Sequence, residues 1–287
     1  KATREWAPPE QQGQAFGLLE AGRGVSEAIL ASILVAVFAN LGGDVPAFSK
    51  IIMIYATLHV ALGIIAWRVI SPGSPIRDET ERSGFKDFTA VIKMPAVWLI
   101  AIVVMTSYCA YWGAYYFTPY ASEVFGMSVV VAGSIAAGKI WLKPVAAAFA
   151  GLVADRIGIW QSVSACFVIL FMSFAGFSVL PGTASLVVLM IVNIIIASIA
   201  IFAHRGIYFA LLEECRIPPL MTGTAAGVIS MIGFTPDIFM PLLGGALLDG
   251  YPGPTGYHIY FGIIAGLSIV GLVASLMIGR RATRSAP

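Results

Sequence analysis

The chain has 287 residues, of which 59% are hydrophobic and only 11% charged, with a formal net charge of +2 and a mean hydropathy of +0.89. A soluble domain carries about 25% charged residues, so this composition excludes a chain that covers a water-facing surface. A net charge this small gives no footing for nucleic acid as a partner.

Apolar runs near or above the ~20 residues needed to span a bilayer follow one another along the chain. They fall at 14–41, 49–70, 95–122, 128–151, 161–181, 184–209, 222–248 and 257–279. Each is expected to be helical, because backbone exposed to lipid must satisfy its own hydrogen bonds. The alternating period of a membrane β-barrel is absent from the sequence. The expected fold class is all-α, a polytopic membrane protein with the lipid bilayer as its solvent. Cys109, Cys166 and Cys215 lack metal-type or CxxC spacing and read as packing residues, so no metal or cofactor is expected.

Residues 6–24 and 216–234 are two versions of one segment. WAPPEQQGQAFGLLEAGRG aligns with RIPPLMTGTAAGVISMIGF at a constant offset of 210. Pro8/Pro218, Pro9/Pro219, Gly13/Gly223, Ala15/Ala225 and Gly17/Gly227 are identical. Each copy reads as a two-proline loop leading into a long apolar helix, and ten residues further on the alignment sets Glu27 against Asp237. A period this long points to the duplicated halves of a transporter, not to a solenoid.

The two duplicated starts are separated by six spans and so lie on the same side. Connections on that side carry Arg4, Arg68, Arg77, Arg82, Lys86, Arg156, Arg216, Arg280, Arg281 and Arg284, against little beyond Lys50 opposite. The positive-inside rule then places the duplicated starts and the C-terminus in the cytoplasm, in a multi-pass protein of the cell membrane. From residue 94 on, four spans precede the second copy, whereas only five residues precede the first. Repeat symmetry therefore leads one to expect roughly 115 residues and four helices upstream, in a parent of twelve spans. The polar stretch at 71–93 reads as a linker between halves.

Gly151-Leu-Val-Ala-Asp155-Arg156-Ile-Gly158 closes the fourth span. Gly151 permits close helix approach, and Asp155 is suited to accept from N–H groups at a neighbouring helix start; the alternative is an ordinary helix end with Asp155 and Arg156 in solvent. This G-x-x-x-D-R-x-G resembles the signature loop of the major facilitator superfamily, in its second-half copy. The family's loop usually continues with further basic residues, whereas Ile159, Trp160 and Gln161 follow here. The resemblance covers the whole chain as the fifth to twelfth helices of that fold. It implies that residues 1–70 are the last two helices of an N-terminal six-helix half and 94–287 the C-terminal half. It also implies that Asp155 latches onto the fifth helix near Gly13 in one state of a transport cycle. The segment from His204-Arg205 through Tyr208, Glu213 and Glu214 to Pro218 and Gly223 is similar to a group of bacterial permeases related to sugar-phosphate permeases, which implies a small polar or anionic organic solute.

Charges within spans cost about 2.5–3.5 kcal/mol each on insertion scales and so face a cavity or a partner. The first span carries Glu20, Arg23 and Glu27 on one face, and the fourth carries Lys139 and Lys143 on one face. At ~1.5 Å per residue, Glu20 and Lys143 lie at one depth and Glu27 and Lys139 at another. Because the resemblance implies that the fifth and eighth helices face each other, Glu20–Lys143 and Glu27–Lys139 pairs are expected. Two readings stay open: the pairs hold the halves together, or Arg23, Lys139 and Lys143 bind an anionic substrate while Glu20 gates and Glu27 carries a coupling proton. Asp237 follows Pro236 at a proline kink, which suits a hinge, a substrate contact or a proton site. Arg205 is expected to snorkel or to pair with Glu213 or Glu214.

Tyr108, Tyr111, Trp112 and Tyr115 fall at helical spacing. Such a stripe suits packing or an interfacial belt; the family's cavity-lining seventh and tenth helices instead make Tyr111, Tyr115 and Asn193 substrate contacts. The function expected is secondary active transport of a small polar, anionic organic solute by alternating access, with a proton or other ion as coupling partner and the monomer as the working unit. The alternative is a non-transporting sensor on the same scaffold. The sequence contains no GxxxxGK[ST], HExxH or GxSxG motif, and no enzymatic activity is expected.

Overall fold

The computed structural model describes residues 2–41, 45–69 and 85–284. Among them there is no strand, and every apolar run of the sequence becomes a long helix. In chain order these are α1 (Gln12–Asn40), α2 (Val45–Val69), α3 (Pro95–Glu123), α4 (Val129–Ile157), α5 (Ile159–Val179), α6 (Ala184–Glu214), α7 (Pro219–Gly250) and α8 (Pro254–Arg284). Six of them contain a segment long and apolar enough to cross a membrane. The other two, α1 and α4, have 29 residues each, about 43 Å at helical rise, and carry Glu20, Arg23, Glu27, Lys139, Lys143 and Asp155. Phe149, Met172, Val188, Met231, Ile238 and Leu242 are exposed, as suits side chains whose solvent is hydrocarbon.

The duplication is visible in the backbone. Pro9–Gln11 and Pro219–Met221 each form a single 3-10 turn. Gln11 N–H donates to Pro8 O at 3.0 Å and Met221 N–H to Pro218 O at 2.9 Å. In both copies an α-helix follows at once, from Gln12 and from Thr222. Proline's fixed φ and missing N–H suit this first turn. Three long helices are interrupted: α3 by a 3-10 turn at Ala114–Tyr116, α6 by one at Tyr208–Ala210, and α7 between Gly233 and Pro236. The last break falls where Pro236 predicts one.

The expected linker at 71–93 falls largely on residues 70–84, which lie outside the described residues. Its remainder is not extended: Phe85–Ile92 is a helix, with Val91 buried. By contacts the chain forms two compact units, Thr3–Gly24 with Ser83–Pro287, and Val25–Arg82. The first contains α3 to α8 and the start of α1. Its core is an aromatic cluster in which Phe117, Phe174, Phe177 and Phe261 meet with ring centroids 5.0–6.2 Å apart. The second contains the rest of α1, with Glu27, and α2.

Candidate functional site

The site is built on the close crossing of α1 and α4. Gly13, Gly17, Glu20 and Gly24 recur at i, i+4, i+7 and i+11, which places them on one helix face. Opposite them, Lys143, Ala147, Gly151 and Asp155 recur every four residues along α4. A Cβ on Gly17 would sit 2.7 Å from Ala147 O, and one on Gly151 would collide with Gly13 O, so only glycine permits this approach. Asp155 closes the crossing at one end, its two carboxylate oxygens accepting from Gly13 N–H at 2.7 Å and Gln14 N–H at 2.9 Å. Negative charge at a helix start is favourable, and these N–H groups lack intrahelical partners. The geometry matches the pairing expected of Asp155. Arg156 beside it is exposed.

Seven residues along α1, the buried carboxylate of Glu20 gathers three cations. Arg205 Nε lies at 3.1 Å, Lys143 Nζ at 3.4 Å and Arg23 Nη1 at 3.1 Å. Lys143 and Arg205 are almost wholly buried, whereas the Arg23 side chain is 62% exposed. The expected Glu20–Lys143 pair is therefore present, but it is one part of a larger hub. One carboxylate is thus set among three cations.

Arg205 departs from the expectation that it pairs with Glu213 or Glu214. Those acids lie eight and nine residues further along α6, about 12 Å or more in rise and out of reach. Glu213 instead binds Arg4 at 2.5 and 2.8 Å, and Glu214 accepts Trp160 N–H at 2.7 Å. The Arg205 guanidinium lies 4.2 Å from the Tyr111 ring centroid and 5.4 Å from that of Tyr108, within cation–π range. Its Nη1 is buried and has no hydrogen-bond partner among the described residues.

The aromatic stripe of α3 continues the site. Tyr108 and Tyr111 stack at 5.4 Å, and the Tyr111 and Tyr115 hydroxyls meet at 3.1 Å. Trp112 Nε1–H donates to Asp237 Oδ1 at 2.8 Å, and the Tyr108 hydroxyl reaches Oδ2 at 3.4 Å. The break before Pro236 puts Asp237 in the first turn of the second half of α7, beside these rings. Lys139 Nζ donates to Ala114 O at 2.7 Å and lies 5.6 Å from the Tyr115 ring centroid. That carbonyl belongs to the 3-10 turn of α3, where i→i+4 pairing lapses. Lys139 is thus held within the first unit, while Glu27 belongs to the second.

Asn193 is not brought to the site. Its amide donates to Ser173 O at 2.9 Å and ties α6 to α5. His204, fully buried, hydrogen-bonds the Ser107 hydroxyl and packs edge-on against Phe167. Among the described residues no group of three or more His, Cys, Asp or Glu is placed to hold a metal ion.

Sequence reasoning counted Arg4 only as a topology charge. In the structure it is 7% exposed and binds Glu213, Thr222 Oγ1 at 2.7 Å and Ile217 O at 2.7 Å. Gln12 in turn donates to Arg4 O at 3.1 Å. The two copies of the duplicated segment are thereby tied together at Gln12 and Thr222, which are equivalent positions. No repeat or spacing announces this contact, because the position equivalent to Arg4 is Glu214.

The family model described as Major Facilitator Superfamily matches residues 1–235. The chain is 31% identical over 280 residues to the inner membrane protein YihN of Escherichia coli (strain K12), covering 95% of this chain and 66% of that protein. It is 29% identical over 275 residues to the inner membrane protein YqcE of the same strain, covering 92% of this chain and 64% of that one. The chain thus spans just under two thirds of the length of these relatives, and it belongs to the Major Facilitator Superfamily.

Proposed function

We propose that the protein is a secondary active transporter that moves a small anionic organic solute across the inner membrane by alternating access. The observation that carries this reading is the gathering of three cations at Glu20, with Arg205 Nη1 without a hydrogen-bond partner among the described residues beside an aromatic floor. A buried guanidinium donor without a partner is well suited to an arriving anion, since a charge-assisted bond satisfies it. Tyr111, Tyr115 and Lys139 supply rings, hydroxyls and a further cation for the body of the solute. Membership of the superfamily supports transport, the names of both relatives support an inner-membrane location, and the six apolar helices support several passes. The Arg-rich side then makes the C-terminus cytoplasmic.

Glu27 and Asp237, equivalent in the duplication, are the proposed proton carriers of a symport cycle run by the monomer. Asp155 on the start of α1 and Arg4 on Glu213 form latches at one end of the first unit. Their opening would admit water to the hub, and Arg23 is the cation nearest to exposure.

Uptake into proteoliposomes tests this reading with sugar acids, phosphate monoesters and their neutral analogues. Accumulation of an anion, with no flux of the neutral analogue of the same size, is expected. Equal flux of both overturns the anionic assignment, and saturable binding without any flux identifies a sensor instead. Asp237→Asn is expected to retain binding but to lose acceleration by an inward proton gradient; an unchanged proton dependence removes Asp237 from the coupling. For the latch, Asp155→Asn replaces an acceptor by an amide at two helix-start N–H groups. It is expected to cost about 1–2 kcal/mol, read as a lower unfolding temperature in detergent, while Arg156→Ala stays near the parent value.

A further inference from the structure

Away from the hub, a cavity of about 390 Å³ opens where α3 begins and α6 and α8 end. Leu99 and Ile278 form apolar walls, and Arg216 and Arg281 bring charge to it together with Glu214. The Glu214 carboxylate accepts Trp160 N–H at 2.7 Å, while the two arginines bring guanidinium donors to the cavity lining.

Arg216 is an unusual residue for its backbone. Its φ is 52°, and it is the one non-glycine residue with positive φ among the described residues. Ile217 N–H donates to Leu212 O at 3.0 Å and Arg216 N–H to Glu213 O at 2.8 Å. This pair of bonds defines a Schellman turn, in which Arg216 holds the left-handed position that glycine normally fills. A side chain there is strained, because its Cβ crowds the following carbonyl oxygen. Here that side chain reaches the cavity.

The cavity also sits at a definite depth. It lies at the helix ends, where spans leave the hydrocarbon. Next to it in sequence, Trp98 is 45% exposed and its indole N–H donates to Ile92 O at 2.7 Å. An exposed tryptophan at a span end marks headgroup level. Two guanidinium groups above an apolar floor at that level match a phosphate joined to acyl chains.

We propose that this cavity binds a phosphate group, and that its occupant in the bilayer is the phosphodiester headgroup of an anionic phospholipid, separate from the transported solute. Arg216 and Arg281 hold the phosphate oxygens, and Leu99 and Ile278 face the first carbons of the chains. Native mass spectrometry of the purified protein with phosphatidylglycerol or phosphatidylcholine tests it. Selective retention of phosphatidylglycerol is expected, reduced about five-fold or more in Arg281→Ala and Arg216→Gly. The glycine variant suits the left-handed backbone and should unfold at the same or a higher temperature, so a folding defect is not an explanation for lost lipid. Arg280→Ala, adjacent but outside the cavity lining, should retain the lipid. Equal retention of both lipids, or undiminished retention in both cavity variants, overturns the proposal. Displacement by inorganic phosphate with no preference for the anionic lipid assigns the site to free phosphate and overturns the lipid assignment.

Discussion

Glu20→Ala is expected to be the most destabilising single substitution in the α1–α4–α6 region. It removes the carboxylate that lies 3.1 Å from Arg205 and 3.4 Å from Lys143 and leaves both cations buried together. Breaking a buried ion pair by deleting one partner costs about 3–5 kcal/mol, most of it the penalty of the stranded charge. With both cations deprived of this carboxylate, the variant should unfold well below the parent in a detergent thermal scan. Adding Lys143→Met to Glu20→Ala should recover part of the loss, because a well-packed apolar side chain of similar length replaces one stranded charge. If Glu20→Ala unfolds within a degree of the parent, the hub is water-filled and the buried-pair account fails. If the double variant is no better than the single, Lys143 is not among the stranded charges.

Arg205→Ala is the second large effect, and it acts on transport more than on folding. Glu20 keeps Lys143 and Arg23 in this variant, so the fall in stability should be smaller than for Glu20→Ala. What disappears is the guanidinium held over Tyr111 and its unmet Nη1 donor. A charge-assisted hydrogen bond contributes about 1.5–3 kcal/mol, which corresponds to a rise of about 10- to 150-fold in KM for an anionic solute. Arg205→Lys restores the charge but not the planar fork or the stacking, and should fall between the two. A neutral analogue should lose nothing on the same substitution. Uptake of the anion at parental KM by Arg205→Ala would remove Arg205 from the solute site.

How far the sequence reveals this site depends on the type of contact. Asp155 onto Gly13 and Glu20 onto Lys143 were legible, because helical rise fixes depth and the resemblance to the major facilitator superfamily implies which helices face each other. The break before Pro236 was legible because proline is its cause. The partner of Arg205 was not, since Glu20 is 185 positions away and nearer acids compete for attention in the sequence. Nine residues from the end of its helix, an arginine is too deep to snorkel, and that was the available signal. Asn193 misled for the opposite reason: a polar residue mid-span satisfies its hydrogen bond as well on a neighbouring backbone carbonyl as on a solute. Arg4 stayed hidden because it joins equivalent segments through a position the duplication does not itself repeat.

The glycine stripe on α1 has a mechanical consequence. Gly13, Gly17 and Gly24 present a smooth rail to α4, and a rail opposes separation far more than sliding. A slip of one turn, about 5.4 Å, sets small residues against small residues again, because Ala147 and Gly151 repeat at the same interval. Such a slip does not preserve the bond between Glu20 and Lys143. The register of α1 on α4 is thus set by two charged detents, Glu20 at Lys143 and Asp155 at the Gly13 and Gln14 N–H groups, and only their joint release frees the helix to travel.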